Sequence, residues 1–562
     1  AFRRLRDRYT RATGPKKQAL ARVLDVEERR LAIAAIDTQL QRVTAARLDL
    51  VNARRGRDLF GERNLAGRDA LHRAMELRRR SAVLRVARAR LLGGGALPFS
   101  FLAHFADVAA RGGFDLIVGN PPWVRPHRLA PSERERYRRT YRVARVAPWH
   151  GGIAAGAGHG FAAQVDVAAL FVERSLLLLR PRGTVALLLP AKLWRSLAGG
   201  GMRHLLEADA ELRRVEDYSN ARAAFDASVY PGLLVARSLD PSTGAATPDT
   251  CVTAAVVHQG GAPMVWRIAK RDLAIDPSPG APWTLLPKEV RHSFDLLRAN
   301  GMTLADSPIG RAHLGVKCGL NDAFLVRSRA LDDDEAAIIA ADSRSGTIER
   351  SLIRPVIRGE DVTPWVVARD DRSILWTHEA SGGPLASLPP LAARWFAPWR
   401  RGLQSRTDAR SHARWWTLFR TEAARSNHPR VVWADLGKSP RAAVLLADDP
   451  IVPLNTCYVA RCRDDDDAFA LAALLNSPVA AAWLNAIAEP ARGGYRRFLG
   501  WTMSIFPLPA DWENARIKLA ALGRAGTANP TRVGHRLLLE AALAAYDLRA
   551  DDLAPLLIWA TR

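Results

Sequence analysis

Residues 112–126 read GGFDLIVGNPPWVRP and hold the side chains best suited to chemistry. A short apolar run ends on Gly119, then Asn120, Pro121, Pro122 and Trp123 follow, and the chain turns basic. Two prolines fix φ near −65° and remove two N–H donors, so the turn is stiff and presents carbonyl oxygens without competing donors. The Asn120 side-chain oxygen and the Pro121 carbonyl can both accept from one NH₂ group, and Trp123 offers a flat stacking surface. Those parts suit an aromatic amine such as the exocyclic amino group of adenine, whose lone pair is delocalised into the ring. Two acceptors on its hydrogens favour a pyramidal nitrogen that can attack an electrophilic methyl group. Positioning and preorganised acceptors supply such catalysis, so no strong base is needed nearby. In duplex DNA the base must first be flipped out of the stack.

The elements around this loop must deliver it to a sheet edge. From about 100 to 240 the chain alternates apolar runs with helical stretches: FDLIVG and GTVALLLP read as buried strands, DVAALFVERSLLLLRP as a helix closed by Pro181. ASVYPGLLVARSL holds a further strand. Continuous apolar strands separated by helices predict an α/β fold with a largely parallel sheet covered on both faces. Ligands bind beyond the carboxyl ends of such strands, where Asn120–Trp123 would fall.

Residues 1–95 read as a basic helical region with Leu20, Val23, Leu24, Leu31 and Ala35 near helical spacing. Residues 96–240 form a catalytic half-domain and 241–284 a loop-rich connecting segment. Residues 285–510 are mixed α+β and rich in Arg and Trp, and 511–562 read as a helical tail. The acidic runs at 332–335 and 464–467 read as solvated loops.

Bulk composition narrows the partners. At 562 residues two to four domains are expected. Eighty-two Lys+Arg against 57 Asp+Glu give a net charge of +25 and a pI near 10.9, the range of nucleic-acid binders. Residues 1–95 alone hold 24 basic and 10 acidic residues, so the excess is concentrated there. No apolar run approaches the roughly 18 residues of a membrane span, so no membrane partner is expected. Four cysteines in so long a chain argue against a disulfide scaffold and for a reducing cytoplasm. Cys457 and Cys462 lack a second Cys/His pair, and no metal site is expected.

The sequence resembles the gamma-class amino-methyltransferases of DNA restriction–modification and phage-defence systems, in particular the long type IIG-like methylases that carry their own specificity domain. The resemblance rests on LPFSFLAHFADVAARGGFDLIVGNPPW, VDVAALFVERSLLLLRPRGTVALLLPAKLW and FDASVYPGLLVA, and further on HLGVKCGLNDAFLV, LIRPVIRGEDVTPW and LAALLNSPVAAAWLNAIAEPARGGYRRFLGWTMSIFPLP. It implies Asn120, Pro121, Pro122 and Trp123 as the catalytic loop, S-adenosylmethionine as donor and N6-methyladenine as product. It also implies Phe225 beside the flipped base of a double-stranded DNA substrate. Lys317, Asn321, Arg358, Arg496 and Arg497 become candidate DNA contacts in a target-recognition domain.

The family's Gly-rich donor motif, and the acidic residue on the strand after it, do not stand before residue 120. GAGHGF at 156–161 follows the catalytic loop instead. A nuclease signature does not stand out either. The expected sheet is therefore a partial Rossmann-like one, strands four to seven of the family's seven, with an exposed edge. Three explanations stay open: a fragment missing its N-terminal segment, a separate chain supplying the donor site, or a remnant that binds DNA without methylating it. Cytosine N4 and a protein glutamine are rival acceptors for the same loop.

Overall fold

The computed structural model describes residues 2–55, 68–95, 97, 105, 108–109, 111–145, 149, 164–221, 230–240, 250–258, 262–379, 382–406 and 414–561. The chain divides into two compact units, residues 1–114 and 115–562.

In the first unit lie three helices, α1 (Phe2–Arg11), α2 (Gly14–Arg55) and α3 (Arg68–Leu92). Asp37 of α2 pairs with Arg88 of α3 at 2.6 Å, and Arg29 donates to the Leu91 carbonyl at 2.9 Å, so the two run antiparallel. Leu20, Leu24, Val43 and Leu91 are buried, whereas Val23 and Leu31 of the expected stripe face solvent.

The second unit opens on a six-stranded sheet. Its strands are β1 (Phe114–Gly119), β2 (Leu179–Pro190), β3 (Ala210–Asn220), β4 (Pro231–Ser238), β5 (Cys251–His258) and β6 (Met264–Ala269), in the order β1-β2-β4-β3-β5-β6. β4 lies antiparallel between β2 and β3, and β6 is antiparallel to β5, whereas β3 and β5 are parallel. Asp115 meets Arg180 near the start of β2 and Gly119 approaches Leu187 near its end, so β1 runs with β2. The sheet is thus less parallel than its apolar runs predict. The short connection from β3 to β4 explains this, since a parallel return needs a crossover of a dozen or more residues.

Two expectations are corrected by the same sheet. The segment 241–284 is not a linker: β5 and β6 extend the sheet, and Trp283 stacks on Trp194 at 5.9 Å. Buried Arg203 fixes that segment through hydrogen bonds to the carbonyls of Gly280, Ala281, Leu193 and Ser196. Nor is β1 buried. It is an edge strand, with Leu116 57% and Val118 70% exposed, while Val185, Leu187 and Leu189 of β2 are buried.

Beyond the sheet, residues 285–510 fold as mixed α and β. A six-stranded sheet includes Leu325–Ala330, Glu335–Ala340 and Ile353–Ile357, and a four-stranded one centres on Arg430–Ala434 and Cys457–Arg461. The helical tail is not separate from them: Trp512, Leu519, Leu538 and Leu553 share one core with Leu471, Trp483 and Phe294. The acidic run 464–467 is also not a solvated loop. Asp464 caps the helix Asp465–Leu475, and fully buried Asp467 accepts from Trp512 at 2.8 Å and Arg516 at 2.8 Å. No single helix among the described residues is long and apolar enough to cross a membrane.

Candidate functional site

The strand directions bring the ends of β1, β2 and β3 and the start of β4 to one edge of the sheet. Asn120 leaves β1 there, exposed, while Pro121 is buried and Trp123 half-buried. The Trp123 indole N–H donates to the Leu188 carbonyl of β2 at 3.3 Å, and the Val124 carbonyl accepts from Val167 N–H at 3.1 Å. The loop is therefore tied at both its ring and its exit, and the two prolines stiffen the turn between. Asp166 caps the helix Val167–Leu178 through Ala168 N–H at 3.2 Å and pairs with Lys192 at 3.1 Å.

Beside the loop, starting two residues after Trp123, lies a cleft of about 900 Å³ between the sheet edge and the mixed α and β segment 285–510. Arg125, His127, Arg134, Lys192, Arg311 and Arg497 line it, against Asp166, Glu422 and Glu489. Its walls are positive on balance, as a polyanion requires. Burial pushes His313 below its ordinary value, with Arg461, Arg311 and Arg425 adding to the effect. Burial also holds the half-buried Glu489 carboxyl above the usual carboxylate range, against the pull of Arg497, Lys192 and Arg203. A second cavity, of about 700 Å³, is lined by Asn321, Arg358, Arg441, Asn455, Asp435 and Tyr495, among others.

The expected DNA contacts thus separate. Arg497 lines the cleft and pairs with Asp435 at 3.0 Å. Asn321 and Arg358 line the second cavity, Arg358 within 3.9 Å of Glu360. Lys317 lines neither cavity; its backbone pairs with Phe419. Arg496 turns away from the cleft, donating to Asn220 at the end of β3 at 2.9 Å, and burial pushes its guanidinium down to about 10. Phe225 and GAGHGF lie outside the described residues. Sequence reasoning missed Asp166, Lys192 and Glu489, which carry no local motif and meet only through the fold. Among the described residues no Gly-rich turn closes a strand at this edge with an acidic partner on the next strand.

Residues 33–225, about a third of the chain, match the model of the Eco57I restriction-modification methylase family. The chain is similar to the type II methyltransferase M.PaeR7I of Pseudomonas aeruginosa, 23% identical over 412 residues, covering 69% of this chain and 63% of the relative. It is also similar to the type II methyltransferase M.XhoI of Xanthomonas vasicola, 22% identical, covering 75% of this chain and 73% of the relative. The chain thus spans less than two thirds of the first relative's length. Among solved structures it is similar to the type IIL restriction-modification enzyme MmeI in complex with DNA. There the identity is 11% and the TM-score 0.49, covering 79% of this chain and 56% of that one.

Proposed function

We propose that the protein is a site-specific DNA methyltransferase of a restriction–modification or phage-defence system, acting on adenine N6 with S-adenosylmethionine as donor. The observation that carries this reading is the Asn120–Trp123 loop, held at the carboxyl edge of the sheet beside a basic cleft. The matched methylase family supports it. The Asn120 side-chain oxygen and the Pro121 carbonyl take the two amine hydrogens and leave the nitrogen lone pair free to attack. Trp123, its indole fixed on Leu188, holds the flipped base by stacking, worth roughly 1–3 kcal/mol. Phe225 is proposed as a second contact to that base. The basic residues of the cleft, Arg497 among them, hold the double-stranded DNA, and Lys317, Asn321 and Arg358 extend the contact along the segment 285–510. The described residues form no cradle for the donor. What these residues are proposed to supply is the acceptor side of the reaction.

The basic cleft suits one other reading equally well, a DNA-binding remnant without methyl transfer. The two part on one experiment with the full-length protein, labelled S-adenosylmethionine and duplex DNA. The proposal expects label in the DNA, lost in Asn120→Ala while DNA affinity stays nearly intact. Label retained in Asn120→Ala removes the role given to Asn120; salt-sensitive binding with no label in the wild type leaves the remnant.

A further inference from the structure

The strand Arg496–Arg497 pairs with Glu489–Pro490 on one side and Leu436–Gly437 on the other. Three consecutive side chains on this hairpin take three different surroundings. Tyr495 lines the second cavity, Arg497 lines the basic cleft, and Arg496 between them bonds Asn220 at the end of β3. Strand alternation separates Arg496 from Arg497, because neighbouring side chains point to opposite faces. Asp435 joins the two cavities, lining the second and pairing with Arg497 of the first.

The other end of the hairpin also reaches the sheet. Gly493 N–H donates to the Tyr230 hydroxyl at 3.1 Å, and the Tyr230 carbonyl accepts from Ala191 N–H at 2.9 Å. Tyr230 immediately precedes β4, whose Pro231 pairs with Pro190 of β2. Three residues before Ala191 on that strand stands Leu188, whose carbonyl holds Trp123. Beneath Asn220, the buried pair Arg195–Asp217 lies close enough to Arg496 to influence its charge. Hydrogen bonds joined by short stretches of backbone therefore link the walls of both cavities to the ring of Trp123.

We infer that the hairpin 489–497 couples duplex DNA in the cleft to the catalytic sheet edge, with Arg496 and Tyr230 as positioning residues. The inference rests on the DNA-modifying reading above and deepens it. DNA that engages Arg497 and Tyr495 fixes the hairpin, which fixes Asn220 and Tyr230, and so steadies the strand end that holds Trp123. Arg496 is thereby removed from the expected DNA contacts.

Hydrogen exchange of the full chain, with and without a pool of random-sequence duplex DNA, tests this. In the wild type, DNA should slow exchange at residues 187–189, 191 and 232–234. Arg496→Ala should bind the same DNA within about threefold, a difference under 1 kcal/mol, yet lose that slowing, and Arg496→Lys should recover part of it. Tyr230→Phe deletes one hydroxyl and should weaken the slowing even where Arg496→Ala does not fold. DNA-bound wild type without slowing, or variants that keep it in full, would overturn the inference. A wild type that binds no DNA overturns the DNA-modifying reading and this one with it.

Discussion

Glu489 and the paired arginines on its hairpin show how much turns on a single side chain. Its carboxyl is held above the ordinary range by burial, even with Arg497 and Lys192 at hand. A raised folded value means that ionising Glu489 costs the native state, a cost absent below the unfolded value near 4.3 and complete above the folded one. Glu489→Gln should therefore be more stable than wild type at pH 8, with the advantage fading as pH falls towards 4. Denaturant midpoints at both pH values measure it, and an advantage that grows on acidification would contradict the assignment. At this scale the sequence was legible only where residues are contiguous. Asn120 to Trp123 sit together in sequence and suggest the amine clamp proposed for them. Arg496 and Arg497 look alike in sequence, and strand alternation alone decides that one faces the cleft and the other the sheet.

Elements were legible where apolar runs are long, and less so where flanking loops obscure them. β2, with GTVALLLP, and the helix Val167–Leu178 fall close to their expected places. β5 and β6 hid between Pro- and Gly-rich stretches that read as a boundary, and apolar runs carry no record of strand direction, so antiparallel β4 was not foreseen. The run 464–467 was misread because its partners Arg516 and Trp512 lie about fifty residues away. β1 has a measurable consequence of its own. An edge strand with exposed Leu116 and Val118 is a template for pairing with other chains. Val118→Lys should lower concentration-dependent association of the isolated chain in light scattering while leaving its thermal midpoint nearly unchanged. Unaltered association would mean that another surface drives it.

Over the whole molecule, charge and architecture point the same way. Residues 1–95, with 24 basic and 10 acidic side chains, carry more than half of the +25 net charge, and the cleft of the other unit is basic as well, its cations coming both from around the sheet and from the segment 285–510. Neither part forms that cleft alone: Arg125 and Lys192 stand on the catalytic side, Arg311 and Arg497 on the other. The acceptor loop, the cleft and the second cavity thus belong to one unit of the chain, although more than 300 residues of sequence separate Asn120 from Arg497. Composition points to a polyanion as partner, but only the fold assembles the basic cleft proposed to take it. The central proposal is that Asn120 and Pro121 hold an amine nitrogen for methylation. Duplex DNA treated with the full-length protein and S-adenosylmethionine, digested to nucleosides and analysed by mass spectrometry, tests this most directly. N6-methyldeoxyadenosine as the one new nucleoside is the result expected; N4-methyldeoxycytidine, or unmodified DNA tightly bound to the protein, would contradict it.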